Sequence, residues 1–416
     1  LSGSRTDISD LTAEEIVELA EAQENIAKLT DNADETVRVS IVVEGEPTTA
    51  LFGTADIASN AQAMAYRAQL ESRQAEVTAA IEAEVLGGAA LDVRWNLTLA
   101  ANAISANVTY GQIPAILKVD GVKKVVVETK YSPAVYSTDS ADPEMATSGE
   151  MIGSGAAWAN GYTGAGSRVA IIDTGLDLDH EMVDADAFEF SLAVKAAVNK
   201  QKAAAYIESL DLLDEDEIDG VFEQLNAQVN AEVAAEDLYN TSKVPYVFNY
   251  IDQNTNGTHD YDSQGDHGSH VSGIAAANKY VKNASGKYVA SLTSTFVQGV
   301  APDAQILVMK VFGEGGGAYD SDYMAAIEDA LILRADSVNL SLGSAAPGFS
   351  VDFDGDSEYA AEGLNAYGND YFLDILDSLE DSDTVVSISA GNAYSYAYNS
   401  TYGYLYAEDV NFDTVG

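Results

Sequence analysis

Two hydrophobic rhythms divide the chain. In the first third, apolar and polar positions alternate in short runs. Val37–Val43 reads as a strand with period two, followed by a long helical stretch, Asn60–Leu86, which Gly87-Gly88 stops. Asp92–Leu99 and Ile104–Tyr110 read as two more strands, Ile113–Val119 as a short helix, and Val122–Lys130 as a last strand. The order β-α-β-β-α-β is a ferredoxin-like signature. Ahead of it, residues 11–29 form an acidic amphipathic helix, with Thr12 as its cap and Glu15 three residues on, as in a capping box.

Beyond residue 160 the apolar runs become continuous and β-branched, the pattern of strands buried on both faces of a parallel sheet. Ser167–Gly175, Ala304–Phe312, Asp336–Gly343 and Asp383–Asn392 are such runs, and Tyr319–Arg334 and Glu362–Leu379 read as helices between them. The fold class is therefore α/β, a parallel sheet flanked by helices and preceded by an α+β unit. The stretch from Asp173 to His267 is several times longer than a strand–loop–helix connection needs. Ile218, Val221, Phe222, Leu225 and Val229 recur there at helical spacing, so a helical insertion spans about residues 188–245. It is read as packed on the domain surface; the alternative is a wall or lid at the mouth of a cleft.

The candidate chemistry lies where these strands end. In open α/β sheets the ligand sits outside the carboxyl ends of the strands. Asp173-Thr174-Gly175, Ser341-Leu342-Gly343 and Ala390-Gly391-Asn392 close three of the runs, so one rim receives Asp173, Ser341–Gly343 and Asn392. Asp266-His267-Gly268-Ser269-His270-Val271-Ser272-Gly273 runs from turn formers into a helix of small residues, which suits His267 to act as a general base at that rim. His270 is read as packed under that helix, and His180 and His259 as surface residues. Gly313–Gly317, after the 304–312 strand, presents backbone without side chains in the way; Gly315, Gly316 and Gly317 can pair with an extended peptide. The alternative reading is a flexible loop. Asp252–Gly257 starts like a calcium loop but has Ser263 where an EF-hand needs glutamate, and Asp352, Asp354, Asp356 and Glu358 read as a solvated acidic loop. Metal ligands are unassigned; no cofactor is required, and structural calcium stays open.

Composition narrows the classes. The 416 residues are 47% hydrophobic, which accommodates two or three domains with a core. No run is apolar enough to span a membrane. Cysteine is absent, which excludes disulfides, thiolate catalysis and Cys-ligated zinc. The net charge of −47 argues against nucleic acid and anionic membranes as partners, both of which need basic patches. The histidines lack His-Glu-x-x-His spacing, which argues against a metallohydrolase.

Taken together, Asp-Thr-Gly, His-Gly-Ser-His-Val-Ser-Gly, Asn-Leu-Ser-Leu-Gly and Ser-Ala-Gly-Asn, in that order, resemble the subtilisin-like serine peptidases. Lys243–Asp252 resembles the lactocepin and C5a-peptidase branch, the cell-envelope proteinases. The resemblance implies Asp173 and His267 as triad members, Asn392 as oxyanion donor, and Gly315–Gly317 with Ser341–Gly343 as the two edges that hold substrate. After the N-terminal helical segment at 1–36 it implies an inhibitor prodomain at 37–137 whose tail, residues 130–138, lies in the cleft, the alternative being an ordinary α+β domain with another partner, and a catalytic part at 138–416. The implied protein is a secreted or cell-wall-attached bacterial endopeptidase that acts on proteins or peptides, made as a zymogen. One departure stands out: no serine here sits in the family's Gly-Thr-Ser-Met-Ala context. The expectation is that the subtilisin-like sheet is incomplete at the C-terminus, that the serine lies beyond Gly416, and that the 416 residues alone are inactive. The alternative is a catalytically dead scaffold that binds peptides.

Overall fold

The computed structural model describes residues 13–133, 149, 151–294, 297–346, 348–353, 364–379, 384–389, 396–399 and 403–406. Asn392, Thr12, Asp354, Asp356, Glu358 and tail residues 134–138 lie outside the described residues.

The N-terminal part opens with the helix Ala13–Asp31. Strands β1 (Thr36–Val43), β2 (Asp92–Leu97), β3 (Ala103–Thr109) and β4 (Val122–Val127) follow, with the helix Ala61–Glu84 between β1 and β2 and the short helix Ile113–Ile116 between β3 and β4. Asn60 starts the long helix by accepting the Gln62 and Ala63 amides on its side chain. β1 pairs antiparallel with both β3 and β4. Val39, Ile41 and Val43 share a core with Val77 and Ile81 of the long helix.

The sequence reading of 122–130 as one strand needs correction. β4 ends at Val127, and Lys130–Pro133 forms a separate strand, β5. The C-terminal part contributes β6 (Arg168–Asp173), β7 (Tyr246–Asn249), the small hairpin β8 (Tyr280–Lys282) and β9 (Tyr288–Ala290), β10 (Gln305–Lys310), β11 (Ser337–Leu340), β12 (Leu342–Ala346), β13 (Phe349–Phe353), β14 (Leu364–Gly368) and β15 (Val385–Ile388). Five of these form a sheet in the order β15-β11-β6-β10-β7, parallel throughout. All six residues of β10 are buried, as befits a strand with both faces covered.

Glu362–Leu379 is not one helix. Leu364–Gly368 is strand β14, and the helix runs only from Tyr371 to Ser378. β13 and β14 pair with each other, and β13 pairs with β4, so the N-terminal sheet has six strands in the order β14-β13-β4-β1-β3-β2. The read-as-loop Asp352 lies in β13, where it accepts the Tyr367 hydroxyl.

The insertion is also more broken than its spacing suggested. Short helices cover Ala185–Val198, Ala203–Glu208, Glu215–Val221 and Ala235–Leu238. The helix ends at Val221, so Ile218 and Leu225 are buried in the main core while Val229 is 45% exposed.

The helix Asp320–Ile332 joins the two parts, and every one of its residues is buried. The parallel sheet packs against it, and so does the polar face of the N-terminal sheet. Alternation in β1 suggests a solvated face at Arg38 and Ser40. Instead Arg38 lies 3.5 Å from Asp322, and Ser40 donates to Glu128 at 2.8 Å. Trp95 Nε1 donates to Asp322 at 2.8 Å, and Glu328 accepts the Leu99 and Ala100 amides at 2.8 Å. Buried polar groups are tolerated here because they are hydrogen-bonded across the junction.

Candidate active site

β6 ends at Asp173, which is 1% exposed. Its Oδ1 accepts the Thr174 amide at 2.7 Å and lies 2.7 Å from Nδ1 of His267, the first residue of the helix His267–Ala276. Two further bonds fix that pairing. Thr174 Oγ1 accepts the Gly268 amide at 2.9 Å, and Ser269 Oγ accepts the Asp177 amide at 2.8 Å. The helix start also comes very close to the turn after β6. A Cβ on Gly268 would collide with the Gly175 carbonyl oxygen, and Gly175 itself sits at φ 102°.

His270 is exposed, not packed under the helix. The buried stripe of that helix runs through Gly268, Ser272, Gly273 and Ala276, and at 100° per residue His270 falls on the opposite side. His180 is exposed and its Nδ1 accepts the Met182 amide; His259 is half-buried.

Sequence reasoning missed Lys310. It ends β10 in parallel register with Asp173, is 1% exposed, and donates to the Thr174 carbonyl. Its partner is Asp262, 2.8 Å away in the loop that leads to His267. Burial pushes the Lys310 ammonium down, while Asp262 opposes that shift. Lys310 thus ties the histidine loop to the Asp173 turn. A lysine closing an apolar strand was the available signal.

The two substrate-edge candidates flank β5. Leu342 and Gly343 of β12 pair antiparallel with Pro133 and Ser132, while Ser341 accepts the Asn339 amide side chain just before the pairing starts. On the other side, the Tyr131 amide donates to the Ala318 carbonyl at 2.8 Å, and Lys130 bridges to Tyr319. Of the three glycines only Gly317 adjoins β5, where a Cβ would collide with the Tyr131 carbonyl oxygen. Gly315 faces away: its amide donates to Asp252 at 2.7 Å, and Gly316 closes a turn with Gly313. Asp252 also accepts the Glu314 amide and the Asn249 side chain. Its carboxylate is engaged in holding the glycine loop. Among the described residues no three His, Cys, Asp or Glu side chains are gathered as a metal site.

Where β4 passes into β5, carboxylates accumulate. Glu128 accepts the Ser321 amide and hydroxyl at the start of the joining helix, and Asp320 accepts the Thr129 amide. Burial pushes Asp320 up to about 7, with Glu128 adding to it; burial also raises Glu128 and Asp322.

The aspartate that ends a strand of the parallel sheet and the histidine that opens a helix beside it have a counterpart in sequence similarity. The family described as the Subtilase family matches residues 164–410. The chain belongs to the subtilase family. Among curated subtilases, a PII-type proteinase of Lacticaseibacillus paracasei is 30% identical over 297 residues, which is 70% of this chain and 12% of the relative. A C5a peptidase of Streptococcus pyogenes is 30% identical over 44% of this chain and 12% of the relative. The chain thus spans about an eighth of these relatives' length. Among solved structures, the epidermin leader peptide processing serine protease of Staphylococcus aureus aligns over 86% of this chain and 60% of its own, at 16% identity and a TM-score of 0.43.

Proposed function

We propose that this subtilase belongs to a secreted or cell-wall-attached serine endopeptidase made as a zymogen, with the nucleophile supplied from outside these 416 residues. The observation that carries the reading is the 2.7 Å contact between Asp173 and His267. In this reading Asp173 holds the His267 tautomer with a proton on Nδ1, which leaves Nε2 to take the proton of a serine hydroxyl. Asn392 supplies an amide to the oxyanion. The serine comes from sequence outside these 416 residues, none of which places serine in Gly-Thr-Ser-x-Ala.

Residues 37–137 act as the inhibitor. Support comes from β5, which lies antiparallel to β12 and donates its Tyr131 amide to Ala318, as a bound substrate strand would. Among the described residues no helix is long and apolar enough to cross a membrane, and the net charge of −47 disfavours nucleic acid.

The test is hydrolysis of an unstructured protein such as casein by the full-length product. Activity that disappears with His267→Ala supports the reading. Activity that survives His267→Ala contradicts it, and a full-length product that binds casein without cutting it is the dead scaffold.

A further inference from the structure

β12 and β13 follow one another, and the strands they pair with also follow one another. Leu342, Gly343, Ser344 and Ala346 face Pro133, Ser132, Tyr131 and Lys130. The ladder then resumes with Phe349, Ser350 and Val351 opposite Val127, Val126 and Val125. Between the two stretches the Gly348 amide donates to Thr129 Oγ1. β12 and β13 thus run antiparallel to two successive strands of the prodomain, β5 and β4. The groove edge and the outer hairpin make a single track.

The hairpin is built as a partner for something. Phe349, Val351 and Ala366 are 2%, 0% and 2% exposed and lie in one core with Val125, Val127 and Leu29 of the N-terminal part. Tyr110 stacks on Phe349 with ring centroids 6.3 Å apart. When the N-terminal part leaves, β13 loses its neighbour on one edge and its apolar face is uncovered. A two-stranded hairpin with an open apolar edge is marginal alone and a template for another strand.

We propose that the β13 edge is a substrate exosite, which takes an extended protein segment carrying β-branched apolar residues far upstream of the scissile bond. This rests on the peptidase reading above. The occupant follows from the ladder. A substrate strand that pairs with β12 where Pro133 does now needs only to stay extended for its upstream residues to reach β13. Positions six and eight residues before the one at Pro133 take the places of Val127 and Val125, whose side chains share the core with Phe349 and Val351. Main-chain hydrogen bonds hold the strand, and alternate side chains are read. The exosite selects unfolded or extended substrates over short peptides, because only a long extended chain reaches both edges.

The experiment uses the full-length protein after removal of its prodomain, with two fluorescently labelled peptides. The long one extends through valines at the six- and eight-residue positions; the short one stops before them. Cleavage and anisotropy are measured on the same samples. Cross-strand pairs of this kind together give about tenfold in kcat/KM for the long peptide over the short, through KM. Val351→Pro, which removes a ladder donor, brings that ratio to about one, and so does Val351→Lys, which keeps the backbone but charges the apolar face. A ratio near one in the wild type, or a tenfold ratio that both variants retain, overturns the exosite. Cleavage of neither peptide contradicts the peptidase reading instead; the anisotropy arm then decides, and a long peptide bound no more tightly than the short one overturns the exosite.

Discussion

At the residue scale the account rests on Asp173, His267 and the groups that position them. Asp173→Asn keeps the size of the side chain but turns a pure acceptor into a group that favours the wrong imidazole tautomer. The expected effect is a fall in kcat on the order of 10⁴, read from initial rates of the full-length product. Lys310→Met is a different kind of change. It leaves Asp262, whose side chain is 3% exposed, as an unpaired buried carboxylate. The expected cost is roughly 3–5 kcal/mol of stability, read by denaturant unfolding of the 416-residue chain. Lys310→Met with Asp262→Leu recovers most of it, because the orphaned charge is gone; equal destabilisation in the double variant contradicts the pairing. The catalytic-type pair was legible from short motifs at strand and helix ends. Lys310 was not, because its partner arrives from a loop far away in sequence, and the position of a buried cation depends on which loop folds over it.

At the element scale, the long helix and the four strands of the N-terminal part were legible because each has its own periodicity and stop signals. The hairpin β13–β14 was not. Phe349-Ser350-Val351-Asp352-Phe353 alternates as a strand should, yet the acidic residues after it suggested a loop. What makes it a strand is the edge of β4, a partner more than two hundred residues earlier in the chain. The joining helix has a similar lesson. Its Asp320, Asp322 and Glu328 are buried with donors supplied by the N-terminal part, while Asp329 accepts the Asn226 and Ala227 amides and the Tyr250 hydroxyl.

That junction carries a pH dependence. Asp320 is raised to about 7 when docked, with Glu128 and Asp322 raised as well. Once undocked and solvated, they return toward ordinary carboxylate values near 4. The docked state therefore binds more protons. Its stabilisation is full below the free pKa and is lost as pH rises through the docked one, a window from about 4 to 7. If the chain is cut within 134–148 at an engineered protease site, the N-terminal fragment is expected to separate faster at pH 8 than at pH 5.5, as read by size exclusion. Slower release at pH 8 contradicts this assignment. Asp320→Asn flattens the profile.

At the scale of the whole molecule, one parallel sheet presents the Asp173–His267 pair, and the N-terminal part joins the rest of the chain through the β5–β12 and β4–β13 pairings. Family membership follows from the match over residues 164–410, while the conclusions about catalysis rest on the geometry. The chain as a whole carries 67 acids against 20 bases, which disfavours anionic partners. The most direct measurement is labelling by a fluorophosphonate probe, which reacts with a serine only when a neighbouring base activates it. The full-length product, freed of its prodomain, is expected to label at one serine outside residues 1–416, to lose that label with His267→Ala, and the 416-residue chain is expected not to label. Labelling of a serine within residues 1–416, or labelling that survives His267→Ala, would contradict the account.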